Sequence, residues 1–313
     1  MNEFILRLLS SPSIGRMALN MEKNKALRPF QIPLSSMCEK QEVMLRRKLR
    51  RLGSTEIGRK LGVKNGISLE KLPITDYEFY APFFNNPSPS AFMYPLEAYE
   101  RIKTSGTGGK DKWFMIPRDY LVKSTLETGI PSSFLFTHNG KEITIGYGDE
   151  VYVNTAPRPY VGSVMISLVA GRGGKFPLFN ITPNQNIPFE DKVRYFIHNC
   201  ERIDLAVIQA SILVSRVMPE VHKNIKLKGI YCPDSAIAEA YFDEITRFVG
   251  VNPRTTWNST ETLDCTLPSV EHPLGFFLDW RRGIFEFIPV EDSVPNESKV
   301  ASIDEVEVGK VYQ

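Results

Sequence analysis

The sequence predicts an α/β fold in which parallel strands are flanked by helices, and three observations lead there. Hydrophobic residues make up 42% of the 313, the composition of a packed globular protein. Short strand-like and helix-like patterns alternate along most of the chain. Finally, "IKLKGIYC", "SAIAEAYFDEITRFVG" and "RTTW" read as strand, amphipathic helix and strand, which implies parallel pairing through a right-handed crossover.

Taken in order, residues 1–72 read as a mostly helical segment packed on the core. Within it "EKQEVMLRRKLRRLG" sets Val43, Leu45, Leu49 and Leu52 near one stripe, with Gly53 as the stop. Its arginines are read as a solvated face. "KLPITDYEFYAPFF" and "NNPSPS" read as a proline-punctuated connector, opening a core that runs over 73–313.

In that core "AYERIKT" is a strand entering a glycine-rich loop, and "KWFMIP" is the next strand. Residues 119–129 suggest a helix, while "EITIGYG" and "VYVNTA" suggest strands or strand–loop junctions. "DKVRYFIHNCERI" is helical, with Val193, Phe196 and Ile197 on one side. Gly250 closes the helix predicted over 235–249. "LGFFLDW" and "GIFEFIPV" read as two strands meeting at a hairpin around Arg281, Arg282 and Gly283.

Charge and cysteine usage remove several function classes. With 38 basic and 36 acidic residues the net charge is +2, and no aromatic–basic ribonucleoprotein pattern occurs, which disfavours nucleic acid as a partner. Cys38, Cys200, Cys232 and Cys265 are far apart, and the four histidines lack metal-ligand spacing, so neither a zinc site nor a disulfide framework is indicated. No run approaches 18 apolar residues, so no membrane partner is expected and the chain reads as cytoplasmic.

"TSGTGGKDK" carries the first chemical signal. Phosphate needs several short N–H and O–H donors converging on it, and backbone amides converge where side chains do not obstruct them. Gly106, Gly108 and Gly109 remove that obstruction, Thr104, Ser105 and Thr107 add hydroxyls, and Lys110 and Lys112 add charge. The Walker pattern fails twice, because Thr104 stands at its first glycine and Asp111 follows Gly109-Lys110. A mobile Gly/Ser/Thr turn remains the alternative.

These residues resemble the phosphate loop of the adenylate-forming superfamily, Thr-Ser-Gly-Thr-Thr-Gly-x-Pro-Lys. Thr104, Ser105, Gly106, Thr107, Gly109 and Lys112 match it, while Gly108 replaces a threonine and Asp111 a proline. "WNSTE", Trp257 to Glu261, is similar to the family's second signature. The resemblance implies that Trp257 flanks adenine, Thr260 bonds the α-phosphate and Glu261 ligates Mg²⁺. Asn258 and Ser259 would be further nucleotide contacts, and Thr107, Lys112, Thr260 and Glu261 would serve the reacting phosphate.

A carboxylate about 4 Å from phosphate is repelled by on the order of 4 kcal/mol at an effective dielectric near 20, so Glu261 in that place needs an intervening cation. Its alternative is a helix-capping role after Ser259 or Thr260. "GIYCPDS" occupies the place of the family's adenine-side loop, which puts Tyr231 beside the base by position.

"RRLGSTEIGRKLGV", "LPITDYEFYAPFF" and "GIFEFIPVED" are similar to the auxin-responsive acyl-acid amido synthetases and their microbial relatives. That resemblance implies the large adenylation domain of the superfamily, with mixed and parallel sheets flanked by helices and a helical N-terminus. It also implies ATP- and Mg²⁺-dependent activation of a carboxylic acid as acyl-AMP with release of pyrophosphate, then transfer to an amine. Positioning and charge stabilisation suffice for the first step, without a covalent protein nucleophile.

An aryl-acid coenzyme A ligase of the phenylacetate type, with a thiol acceptor, and a nucleotide-binding module with weak turnover are the alternatives. Tyr160, Val164, Met165, Phe176 and Phe179, with Arg158 or Arg172, are candidates for an acyl pocket and equally for plain core. The family's C-terminal cap, with its lysine, and the ribose-binding aspartate have no counterpart in the sequence. The expectation is a body cut from a longer protein, with a naturally shortened homologue as the alternative.

Overall fold

The computed structural model describes residues 11–64, 66–104, 111–169, 177–263, 265–291, 294–295 and 299–312. The chain forms two compact units, one made of residues 1–30 and 101–279 and the other of 31–100 and 280–313. Residues 1–72 are therefore shared between them.

In chain order, α1 (Pro12–Leu27) belongs to the larger unit. α2 (Leu34–Leu52), α3 (Glu56–Lys60) and α4 (Tyr77–Asn85) belong to the smaller. Here the connector reading of 71–84 is corrected. Asp76 accepts a hydrogen bond from the Phe79 amide at 3.2 Å and starts a helix that carries Pro82 inside it. Ala81 and Phe83 of α4 are buried, and Phe83 packs with Ile57, Leu61 and Val63 as the small unit's core. The stripe expected on α2 is only partly covered, since Val43 is 53% exposed.

The two strands expected around the glycine-rich stretch form as β1 (Tyr99–Thr104) and β2 (Lys112–Pro117), and they pair with each other. Next come α5 (Arg118–Ser124), a π-helical turn at Thr125–Gly129 and α6 (Ile130–Leu135). The remaining elements of the larger unit are β3 (Glu150–Val153), α7 (Val161–Val169), β4 (Asn180–Thr182), α8 (Phe189–Asn199), β5 (Leu205–Val207), α9 (Ala210–Ile212), β6 (Gly229–Tyr231), α10 (Ser235–Ala240), α11 (Phe242–Val249), β7 (Thr266–Pro268) and β8 (Phe276–Leu278).

The central sheet has the order β4-β3-β5-β6, with every neighbouring pair parallel. Both faces are covered, as an all-parallel sheet requires. Tyr152, Ala206 and Ile230 face α8 and α11 through Val193, Phe196, Ile245 and Phe248. Val151, Val153 and Leu205 pack instead with Phe134 and Leu135 of α6 and Leu19 of α1. Full burial of a side chain such as Phe196 contributes about 1.5–3 kcal/mol.

The predicted 235–249 helix is broken at Tyr241, where φ is −113° and ψ 24°, and Gly250 closes its second half in the left-handed region at φ 77°. The hairpin expected around 281–283 is also corrected. β8 pairs antiparallel with β7, because the turn between them is closed locally. The Ser269 hydroxyl accepts from the amides of Glu271 and His272, and the Gly275 amide donates to the His272 carbonyl. Residues 283–289 instead make single bridges, Phe287 with Ala301 and Pro289 with Tyr312, while β9 (Val290–Glu291) pairs with β10 (Val294–Pro295).

Candidate functional site

The chain leaves β3 for β4 on one side of the sheet and returns to β5 on the other, so the winding reverses between β3 and β5. In open α/β sheets ligands bind in the crevice at the carboxyl ends of the strands near such a reversal. Asn154, Ile208 and Cys232 follow those ends directly.

Residue 254 extends this edge. Arg254 bridges Tyr231 in parallel fashion, its amide donating to the Ile230 carbonyl at 3.0 Å and its carbonyl accepting from the Cys232 amide at 2.9 Å. The strand expected over 254–257 is reduced to this one bridge. The buried Arg254 guanidinium donates to the carbonyls of Ser269 and His138, anchoring the start of the segment that carries Trp257 to Glu261.

Three side chains then meet. The Thr256 hydroxyl donates to the Tyr231 hydroxyl oxygen at 3.0 Å, and the Asn258 amide nitrogen reaches Thr256 Oγ1 at 2.7 Å and the Tyr231 oxygen at 3.4 Å. The Tyr231 ring stacks on Phe136 with centroids 4.3 Å apart and planes 14° from parallel. Gly229 lets β6 approach that closely, since a Cβ there would lie 2.4 Å from the Phe136 carbonyl oxygen.

Beyond Asn258 the chain makes a turn rather than a helix. Ser259 Oγ accepts from the Thr262 amide at 3.2 Å, the Ser259 carbonyl accepts from Leu263, and Leu263 takes φ 57°. The helix-capping alternative for Glu261 is thereby removed. Thr260 is buried, Glu261 is exposed, and Trp257 is 50% exposed with its carbonyl held by the Thr266 hydroxyl at 2.7 Å. A half-exposed indole beside a buried hydroxyl and an exposed carboxylate offers one stacking surface, one donor and one anionic ligand.

Thr104 ends β1 and Lys112 begins β2, on either side of the glycine-rich stretch. Ser105, Gly106, Thr107, Gly108, Gly109 and Lys110 lie outside the described residues. Asp111, where the family pattern has proline, pairs with Lys103 at 2.7 Å, and the Lys103 amine also lies 5.5 Å from the Tyr160 ring centroid. The hydrogen bond from Lys103 to Asp111 holds that amine above the usual lysine range.

Of the acyl-pocket candidates, Val164, Met165 and Phe179 are buried, the first two on helix α7, whereas Arg172 and Phe176 lie outside the described residues. Sequence reasoning did not point to the contact between Thr256 and the Tyr231 hydroxyl. "RTTWN" and "GIYC" are each unremarkable alone, and only the parallel register joins them.

No family model matches the sequence, and no curated protein matches it either. Among solved structures, the chain is similar to the AtGH3.15 acyl acid amido synthetase determined in complex with 2,4-DB. The TM-score is 0.61 at 13% identity, over 88% of this chain and 62% of that one. The chain shares the fold of that synthetase. The chain thus spans 62% of the length of that synthetase. It is also similar, at a TM-score of 0.31 and 17% identity, to an acyl-CoA synthetase (AMP-forming)/AMP-acid ligase II-like protein from Dyadobacter fermentans DSM 18053. That match covers 62% of this chain and 49% of that one.

Among the described residues no helix is long and apolar enough to cross a membrane, and no group of three His, Cys, Asp or Glu side chains could hold a metal. A Mg²⁺ ion takes its oxygen ligands from one or two carboxylates, phosphate oxygens and water, and the exposed Glu261 carboxylate could supply one of them.

Proposed function

We propose that the chain is the nucleotide-binding body of an ATP-dependent ligase that activates a carboxylic acid as acyl-AMP, releases pyrophosphate and passes the acyl group to an amine. The observation that carries this reading is the fold match to an acyl acid amido synthetase over 88% of the chain. In support, Trp257, Thr260 and Glu261 follow directly on the carboxyl edge of the parallel sheet, where such folds bind ligands.

In this reading the Trp257 indole offers a face to the adenine and Tyr231 borders the base. Thr260 donates its hydroxyl to the α-phosphate, with Asn258 and Ser259 shaping the turn. Thr104, Ser105, Gly106, Thr107, Gly108, Gly109 and Lys110 supply donors to the β- and γ-phosphates, with Lys112 at the head of β2. Glu261 and phosphate oxygens would hold Mg²⁺, which neutralises charge on the leaving pyrophosphate when bound. Catalysis is positioning and electrostatic stabilisation, terms that depend on donors held in place before reaction.

Carboxylate-dependent exchange of labelled pyrophosphate into ATP tests the reading. Exchange with at least one acid in a broad panel is expected, and none across the panel would count against it. Offering acyl-AMP an amine and coenzyme A side by side separates the acceptors, and thioester alone would move the assignment to a coenzyme A ligase.

A further inference from the structure

The three-way contact at Tyr231 joins segments that no local structure connects. Tyr231 ends β6, while Thr256 and Asn258 bracket Trp257, 25 and 27 residues later. The Tyr231 ring is fixed from the other side by Phe136, at the end of α6, and the Gly229 approach keeps that end pressed on β6. Its hydroxyl oxygen therefore stands at a defined height above the sheet edge, and both neighbours of Trp257 are tied to it.

Asp234 fixes the same strand-end loop independently. Its carboxylate accepts from the Ala210 amide at 2.6 Å and the Ser211 amide at 2.9 Å, tying the residues after β6 to those after β5. The platform under Tyr231 is thus held at both ends. By contrast, the segment from Trp257 to Glu261 belongs to no helix or strand, and one backbone bond, from the Leu263 amide to the Ser259 carbonyl, is joined by side-chain bonds of Asn258, Ser259 and Thr266 in holding it.

We propose that Tyr231 acts as a positioning residue, through its hydroxyl rather than its ring: by gripping Thr256 and Asn258 it sets the orientation of Trp257 and the turn that presents Thr260 and Glu261 to nucleotide. This rests on the adenylate-forming reading of the site and adds a side-chain role to it. A positioning hydroxyl that accepts hydrogen bonds from a loop, and whose loss frees that loop, weakens ligand binding through preorganisation more than it weakens the fold.

The test compares Tyr231→Phe, Thr256→Val and Thr256→Ser with the unaltered protein by calorimetry with Mg-ATP, alongside thermal melting. Tyr231→Phe keeps the stack on Phe136 and removes only the hydroxyl. Its Kd for Mg-ATP should rise about tenfold, the scale of one well-placed hydrogen bond and its preorganisation, while Tm stays within about 2 °C. Thr256→Val should do the same and Thr256→Ser should bind like the unaltered protein. The loss in the double variant should be less than the sum of the two single losses, because the variants share the Thr256–Tyr231 contact while Asn258 bonds each residue separately.

A Kd unchanged in Tyr231→Phe while the unaltered protein binds ATP would overturn the positioning role alone. A fall in Tm with unchanged Kd would overturn it as well, by making the contact structural. Absence of binding in the unaltered protein would remove the nucleotide reading itself, and this inference with it.

Discussion

The Cα of Gly58 packs against the carbonyl of Leu52 so tightly that a Cβ built there would lie 1.8 Å from the oxygen and 2.5 Å from the carbon. Backbone cannot yield as a side chain can. Gly58→Ala is therefore expected to destabilise the small unit by about 3 kcal/mol or more, as overpacking without relief does. Urea unfolding followed in the far ultraviolet would show it, and a midpoint equal to that of the unaltered protein would contradict it.

Thr55 makes the same turn from the other side. Its hydroxyl donates to the Leu52 carbonyl at 2.7 Å and accepts from the Gly58 amide at 3.0 Å, capping α3. Thr55→Ala should cost about 1–2 kcal/mol and Thr55→Ser far less, because serine keeps the cap. Equal losses in both would mean that the methyl group, not the hydroxyl, is what matters.

How much of this was legible in the sequence depended on the range of the interactions. Period-2 and period-3.6 patterns exposed β1, β2 and α8, because there the covering of one face decides the local structure. Helix α4 was hidden because Pro82 reads as a breaker, while its start depends on the single Asp76 cap. The partner of β8 was misread because Arg281-Arg282-Gly283 looks like a turn, while the closure that matters is made by Ser269 and His272. At the site, the resemblance of "WNSTE" to the family's second signature is what singles out Trp257, Thr260 and Glu261 as candidates. The contact between Tyr231 and Thr256 exists only after the sheet has formed.

Lys192 was equally invisible. Periodicity shows Val193 and Phe196 facing inward, and Lys192 is also wholly buried, donating to the Thr155 carbonyl and to Gln185 Oε1, each at 3.0 Å. Burial pushes its amine below the ordinary lysine range. The folded state then binds fewer protons than the unfolded state between that lowered value and about 10.4. Stability from this group therefore rises with pH through that window. Urea midpoints of the unaltered protein should gain on those of Lys192→Met as pH is raised from about 8 to about 10. A constant difference would contradict the direction of the shift.

The Lys103–Asp111 pair places a negative charge next to the stretch read as a phosphate loop. On the proposed function, Asp111→Asn releases the Lys103 amine and removes a repulsion from the bound nucleotide. Mg-ATP should bind severalfold more tightly at low salt, with most of the gain lost near 0.5 M, where the Debye length falls to about 4 Å. Calorimetry at two salt concentrations measures both, and a gain independent of salt would rule out an electrostatic cause.

Glu261 gives the sharpest separation of structure from function. It is exposed, in a turn whose hydrogen bonds are made by Ser259, Thr262 and Leu263. Glu261→Gln keeps the shape, so stability should change by less than about 0.5 kcal/mol. If its carboxylate is the protein's ligand to Mg²⁺, the substitution removes the anionic oxygen that a hard cation requires. Pyrophosphate exchange should then fall by about a hundredfold or more, a barrier increase of about 2.7 kcal/mol, and part of the loss should return at high Mg²⁺. Retained exchange with ordinary Mg²⁺ dependence would assign the metal to another group, and a lowered melting temperature would make Glu261 a structural residue.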